Sequence, residues 1–182
     1  MRKMIGLLSI LMVLTVIIIF INKESYKTKS EHKCDSIEKA IEILSDHEYP
    51  LPQTRNEFVY TIVDIEEERL VINDHTSSTN KIELVKGISD DFYILLHENS
   101  TIAYHWILDD LEGDTIELLN NTIVEIPYKG DRDGENNNRR LFHFRANKDG
   151  TNEMVFTYQY YDNSRSDDFE DEITFNLTIV EE

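Results

Sequence analysis

Asn99-Ser100-Thr101-Ile102-Ala103-Tyr104-His105-Trp106 is a small polar turn that runs straight into an aromatic strand. Asn, Ser and Thr bend a backbone through local side-chain to backbone hydrogen bonds, whereas Tyr104 and Trp106, two apart, place large rings on one face of a strand. The pattern is that of a binding loop held by a rigid scaffold. Outward from it, β-rich runs follow one another at 81–85, 92–97, 104–108, 115–118, 122–126, 141–145, 154–160 and 173–180. Turns such as Lys148-Asp149-Gly150 and Glu112-Gly113-Asp114 separate them. Short strands at this spacing predict an all-β, antiparallel sandwich. Charges at Glu117, Glu125, Arg145 and Glu172 are suited to limiting edge-to-edge pairing.

The opening stretch resembles the signature loop of the chagasin family of cysteine-protease inhibitors, Asn-Pro-Thr-Thr-Gly-(Phe/Tyr)-x-Trp. Asn99, Thr101, Tyr104 and Trp106 match in register, while Ser100 replaces the Pro, Ile102 the second Thr and Ala103 the Gly. Phe142, Gly150-Thr151, Thr157-Tyr158 and a final alternating strand over 173–180 extend the likeness to about residues 70–182. Glu135-Asn136-Asn137-Asn138 stands where the family has a Gly-rich loop, and Tyr160-Tyr161-Asp162 where it has Arg-Pro-Trp.

The resemblance implies an immunoglobulin-like sandwich that inhibits papain-like cysteine proteases reversibly, by occlusion and without an enzymatic step or a cofactor. Three loops at one end of the sandwich would enter the active-site cleft. The central one would comprise Asn99, Ser100, Thr101, Ile102, Ala103 and Tyr104, with Thr101 nearest the protease thiol. Asn136, Asn137 and Asn138 would supply one flanking loop, and Tyr160, Tyr161 and Asp162 the other. A loop already held by its scaffold loses less conformational freedom on docking, which is where much of the affinity would come from. The rival reading is an exported adhesion or structural sandwich that keeps the fold without inhibition, and the altered flanking loops favour it.

Each site residue has a plainer competitor. Trp106 is expected in the core between the sheets. Tyr104, at the junction of loop and strand, suits packing and contact equally. The three asparagines fit a solvated turn as well as they fit glycine positions, since Asn tolerates left-handed backbone better than most residues. One of Tyr160 and Tyr161 must point outward, because neighbours on a strand alternate.

Charge narrows the partners. The chain has 182 residues with 36 acidic and 18 basic side chains, a formal net charge of -18, which disfavours nucleic acid and anionic surfaces. At 40 % hydrophobic content it can bury one good core, so one domain plus an appendage, and a monomer, are expected. Asp131-Arg132-Asp133-Gly134-Glu135-Asn136 has the oxygen-rich look of a calcium loop, but its Gly is misplaced for an EF-hand and an ordinary acidic loop is expected. His97, His105 and His143 fall in strands without metal-ligand spacing, so no metal site is assigned.

The N-terminus carries a different signal. Arg2 and Lys3 precede an uncharged, mostly apolar run from Ile5 to Ile21, close to the ~20 residues that span a bilayer. No small-residue cleavage pattern follows, so residues 1–22 are expected to be an uncleaved signal anchor, with the body extracytoplasmic, or secreted if cleavage occurs. Residues 23–34 are expected to be a linker, with Cys34 an unpaired linker residue rather than a nucleophile or a lipid-bearing cysteine. In 35–72 a short amphipathic helix is expected, capped at Asp35 with Glu38 at capping-box spacing and striped by Ile37, Ala40, Ile41 and Leu44. It should pack on the edge of the neighbouring sheet. Pro50 and Pro52 stop it, and a hairpin of unassigned role follows around Glu66-Glu67-Glu68 before the sandwich domain at 73–182.

Overall fold

In the last strand, Ile173, Phe175, Leu177 and Ile179 alternate with polar residues, and all four are buried. That period of two sorts one face of a strand into a core and leaves the other to solvent. The computed structural model describes residues 25–34, 36–51, 57–99, 104–127, 137–160 and 169–181. Among these residues the strands are β1 (Ser25–Lys33), β2 (Phe58–Glu66), β3 (Arg69–Ser77), β4 (Lys81–Gly87), β5 (Asp91–His97), β6 (Tyr104–Leu108), β7 (Ile116–Val124), β8 (Arg139–Ala146), β9 (Gly150–Tyr160) and β10 (Phe169–Val180), and a helix, α1, spans Ile37–Asp46. They form a six-stranded sheet, β1-β3-β2-β5-β8-β7, and a four-stranded sheet, β4-β10-β9-β6. Phe92, Ile94, Phe142 and Phe144 from the first meet Phe156, Ile173 and Phe175 from the second in one buried cluster. This is the expected mostly antiparallel sandwich. One pairing departs from it, since β10 lies parallel to β4.

The six-stranded sheet is covered on its outer face as well. Phe92-Tyr93-Ile94-Leu95-Leu96 is buried at every position, as a strand must be when both its faces are dry. Tyr93 and Leu95 turn away from the second sheet and pack with Ala40 and Leu44 of α1 and with Val63, Ile72 and Leu141. The helix therefore lies on the face of the sheet and not on its edge. Its N-cap is Ser36, whose Oγ accepts from the Lys39 N–H at 3.2 Å, in place of the expected Asp35, which lies outside the described residues.

Three further expectations change. Residues 25–33, read as linker, form β1 along the edge of β3. Lys29, Glu31 and Lys33 give no apolar alternation, yet charge is what an exposed edge strand needs. The boundary at residue 73 falls inside β3, and β2 pairs with β5, so the hairpin β2–β3 is part of the sandwich. Its turn is two residues long, with Glu67 and Glu68 at φ 42° and 63°, the left-handed pair that matches the twist of a tight hairpin. Finally, 115–118 and 122–126 are one strand, β7. Both halves pair with β8, and a bulge between Leu118 and Asn120 absorbs the polar Asn120-Asn121 that looks like a turn.

Candidate functional site

The register brings three connections to one end of the sandwich. β5 ends at His97 opposite Arg139, the first residue of β8, so the β5–β6 and β7–β8 connections leave side by side. β6 begins at Tyr104 opposite Tyr160, the last residue of β9, which sets the β9–β10 connection beside the first of them. A hydrogen bond from Trp106 Nε1 to the His97 carbonyl, 2.7 Å, ties the two sheets together at this end.

Glu98, the first residue after β5, organises the central connection. It is only 2 % exposed, and Arg140 grips its carboxylate with two bonds, Nε to Oε2 at 2.9 Å and Nη2 to Oε1 at 2.6 Å. Oε2 also accepts from the Trp106 N–H at 3.1 Å, so one carboxylate clamps both stems of the connection to β8. Charge-assisted, bidentate pairs of this kind fix direction as well as distance. The Glu98 N–H donates to the Asn138 carbonyl at 2.9 Å, which joins the central connection to its neighbour.

Arg139 supports that neighbour. Although charged, it is 1 % exposed. Its guanidinium donates to Asn137 Oδ1 at 2.7 Å, to the Asn137 and Asn138 carbonyls at 3.3 and 3.4 Å, and to the Pro50 carbonyl at 3.0 Å, and it lies over the Tyr49 ring at 4.6 Å. Burial pulls its pKa down to about 10, with Tyr49 and Asp74 opposing, so it stays a cation at neutral pH. Burial likewise raises the Tyr49 phenol, which donates to the Leu44 carbonyl at 2.8 Å. Asp74, fully buried, accepts from Thr61 Oγ1 at 2.7 Å and pairs with His47 Nε2 at 2.8 Å. The helix and the loop base thus share one polar network.

On the inner face of the small sheet, aromatic rings run from the core outward. Phe156 is buried, Trp106 and Tyr158 are half-buried with centroids 5.1 Å apart, and Tyr104 meets Tyr160 edge-on at 5.3 Å at the rim. Trp106 therefore packs at the margin of the core and not in its centre, its indole N–H turned to the other sheet. Beneath it a shallow cleft is lined by Phe58, Leu96, His97, Trp106, Tyr158 and Asp171.

Of the residues singled out from sequence, Asn99, Tyr104, Asn137, Asn138 and Tyr160 are described, all at this end. Ser100, Thr101, Ile102, Ala103, Asn136, Tyr161 and Asp162 lie outside the described residues, as do Asp131 to Glu135 of the acidic loop. Asn137 and Asn138 sit at the base of their loop and not at its tip. Asn138 Oδ1 accepts from the Ile126 N–H at 2.9 Å, closing the two stems on each other. Glu98, Arg139 and Arg140 were not singled out. Adjacent arginines opening a strand gave a charge signal, but their partners are 42 and 89 residues away in sequence. Among the described residues no group of His, Cys, Asp and Glu side chains is placed to hold a metal.

Three connections thus leave one end of a two-sheet sandwich, their stems braced against one another. The model of the chagasin family, peptidase inhibitor I42, matches residues 87–179, from the end of β4 into β10, and the chain belongs to that family. Its members are protease inhibitors and not enzymes. The likeness read from Asn99–Trp106 and the downstream landmarks is thereby borne out. Among solved structures, the crystal structure of the cysteine protease inhibitor EhICP2 from Entamoeba histolytica is similar at 20 % identity and a TM-score of 0.47, over 55 % of this chain and 87 % of that one. The solution structure of Amebosin is similar at 16 % identity and 0.38, over 54 % and 88 %. No curated protein matches.

Proposed function

We propose that this protein inhibits papain-like cysteine proteases reversibly by seating three adjacent connections in the active-site cleft: 98–103 at the centre, 125–138 and 161–168 at its flanks. The observation that carries this reading is the convergence of all three stems at one end, with the central stem clamped by Glu98 and Arg140. A cleft-binding loop must arrive in one conformation, and it must resist the extended pose that a scissile peptide adopts. A bidentate ion pair holding both of its stems serves both needs. The rim rings Tyr104 and Tyr160 add apolar, stiff contact surface of the kind that dominates interface energetics.

The protease is the partner; neither a cofactor nor nucleic acid takes part, and one chain suffices. The apolar run Ile5–Ile21 supports a membrane anchor with the sandwich extracytoplasmic. Among the described residues no helix is long and apolar enough to cross a membrane. The test of the central loop is Thr101→Arg in the full-length chain, assayed in detergent. Inhibition of papain should fall at least a hundredfold while Tm stays within about 2 °C, since the substitution is in a connection. Retained inhibition with this long cationic side chain would remove Thr101 from the cleft and the central loop from the mechanism.

A further inference from the structure

We infer that the loop-bearing end of the sandwich faces the bilayer in the anchored chain, so that the anchored protein is shielded from soluble proteases. The inference rests on the inhibitor reading and the membrane anchor proposed above, and on the direction of one strand. β1 runs antiparallel to β3, with Ser25 opposite Thr76. Thr76 lies opposite Val59, Tyr60 opposite Leu96, and His97 opposite Arg139. Following that ladder across the sheet, the first residue of β1 is level with the point where the central connection leaves β5. The far end of β1, Lys33 opposite Arg69, is level with the β2–β3 turn at the other end of the sandwich. Had β1 run the other way, an N-terminal anchor would point the loops away from the membrane.

Distances decide the consequence. Only Asn22, Lys23 and Glu24 separate the apolar run from Ser25, and three residues reach at most about 10 Å when extended. β1 and β5 are three strand spacings apart in the sheet, or roughly 14 Å. The point where the central connection leaves β5 is therefore held within about 25 Å of the bilayer, by the sum of these two reaches. A globular protease domain of roughly 200 residues is about 40 Å across. It does not fit between the membrane and that end of the sandwich, although it meets no obstacle once the sandwich is moved away.

The experiment compares two full-length chains in phosphatidylcholine nanodiscs, the native one and one with a 60-residue Gly/Ser spacer between Lys23 and Glu24. Such a spacer has a root-mean-square span of about 40 Å, enough to admit the protease. Papain with a fluorogenic peptide is the probe, and both chains are also assayed in detergent. The expected result is inhibition by the spacer chain in discs and by both chains in detergent, with the native chain in discs at least tenfold weaker. Equal inhibition by the two chains in discs overturns the orientation while leaving the inhibitor reading intact. Absence of inhibition by any chain, detergent included, overturns that reading and the shielding with it, and a native chain that does not co-purify with discs removes the anchor on which the shielding depends.

Discussion

At the residue scale, Glu98 fixes the two stems from which the central connection springs. Its carboxylate meets Arg140 twice and the Trp106 N–H once while nearly excluded from water. Removing one member of such a pair leaves the other charge without compensation in a low-dielectric setting, which is where deletions cost most. Glu98→Ala is expected to destabilise the fold by about 3 kcal/mol and to weaken inhibition without altering any residue of the loop 99–103. Urea unfolding checks the first and a protease titration the second; a loss below 1 kcal/mol would mean that Arg140 finds water instead. The turn and its aromatic strand were legible in the sequence, because Asn, Ser and Thr act locally and Tyr104 and Trp106 declare their common face. Glu98 was not, because a lone carboxylate at a strand end is defined by a partner 42 residues on.

At the scale of elements, the helix shows what patterning does and does not convey. The stripe of Ile37, Ala40, Ile41 and Leu44 predicted an apolar face; Ala40 and Leu44 are buried, Ile41 is half-buried and Ile37 stays exposed. The seat of that face was missed, although the unbroken run Phe92–Leu96 carried the information that a second layer covers β5. Leu44, fully buried, packs in the cluster with Tyr93 and Leu95, and the Tyr49 phenol bonds to its carbonyl. Leu44→Ala is expected to cost about 2–5 kcal/mol through lost burial and the cavity left behind. Denaturant midpoints measure it, and a cost under 1 kcal/mol would show the helix to be an ornament on a sheet that is stable without it. β1 was illegible for the opposite reason. An edge strand that faces solvent is polar by necessity, so nothing in Lys29 to Lys33 distinguishes it from a linker until its pairing with β3 is seen.

At the scale of the molecule, the family segment 87–179 holds all three connections, whereas β1 to β3 and most of β4 precede it. Of these, β1 to β3 extend the sheet that carries two of the connections, and the helix between β1 and β2 buries its outer face. Pro50, just past the helix, then accepts from Arg139 at the base of a flanking loop. The N-terminal part thus braces the loop-bearing end. In the proposed mode of inhibition this end closes a protease cleft with the stems of its connections already fixed. Steady-state titration of the full-length protein in detergent against a panel of papain-like proteases tests it most directly. Reversible, one-to-one inhibition that persists through long incubation with the inhibitor uncleaved is the expected result. Absence of inhibition by folded protein at micromolar concentration, or inhibition that fades as the chain is cut between 98 and 104, would contradict it.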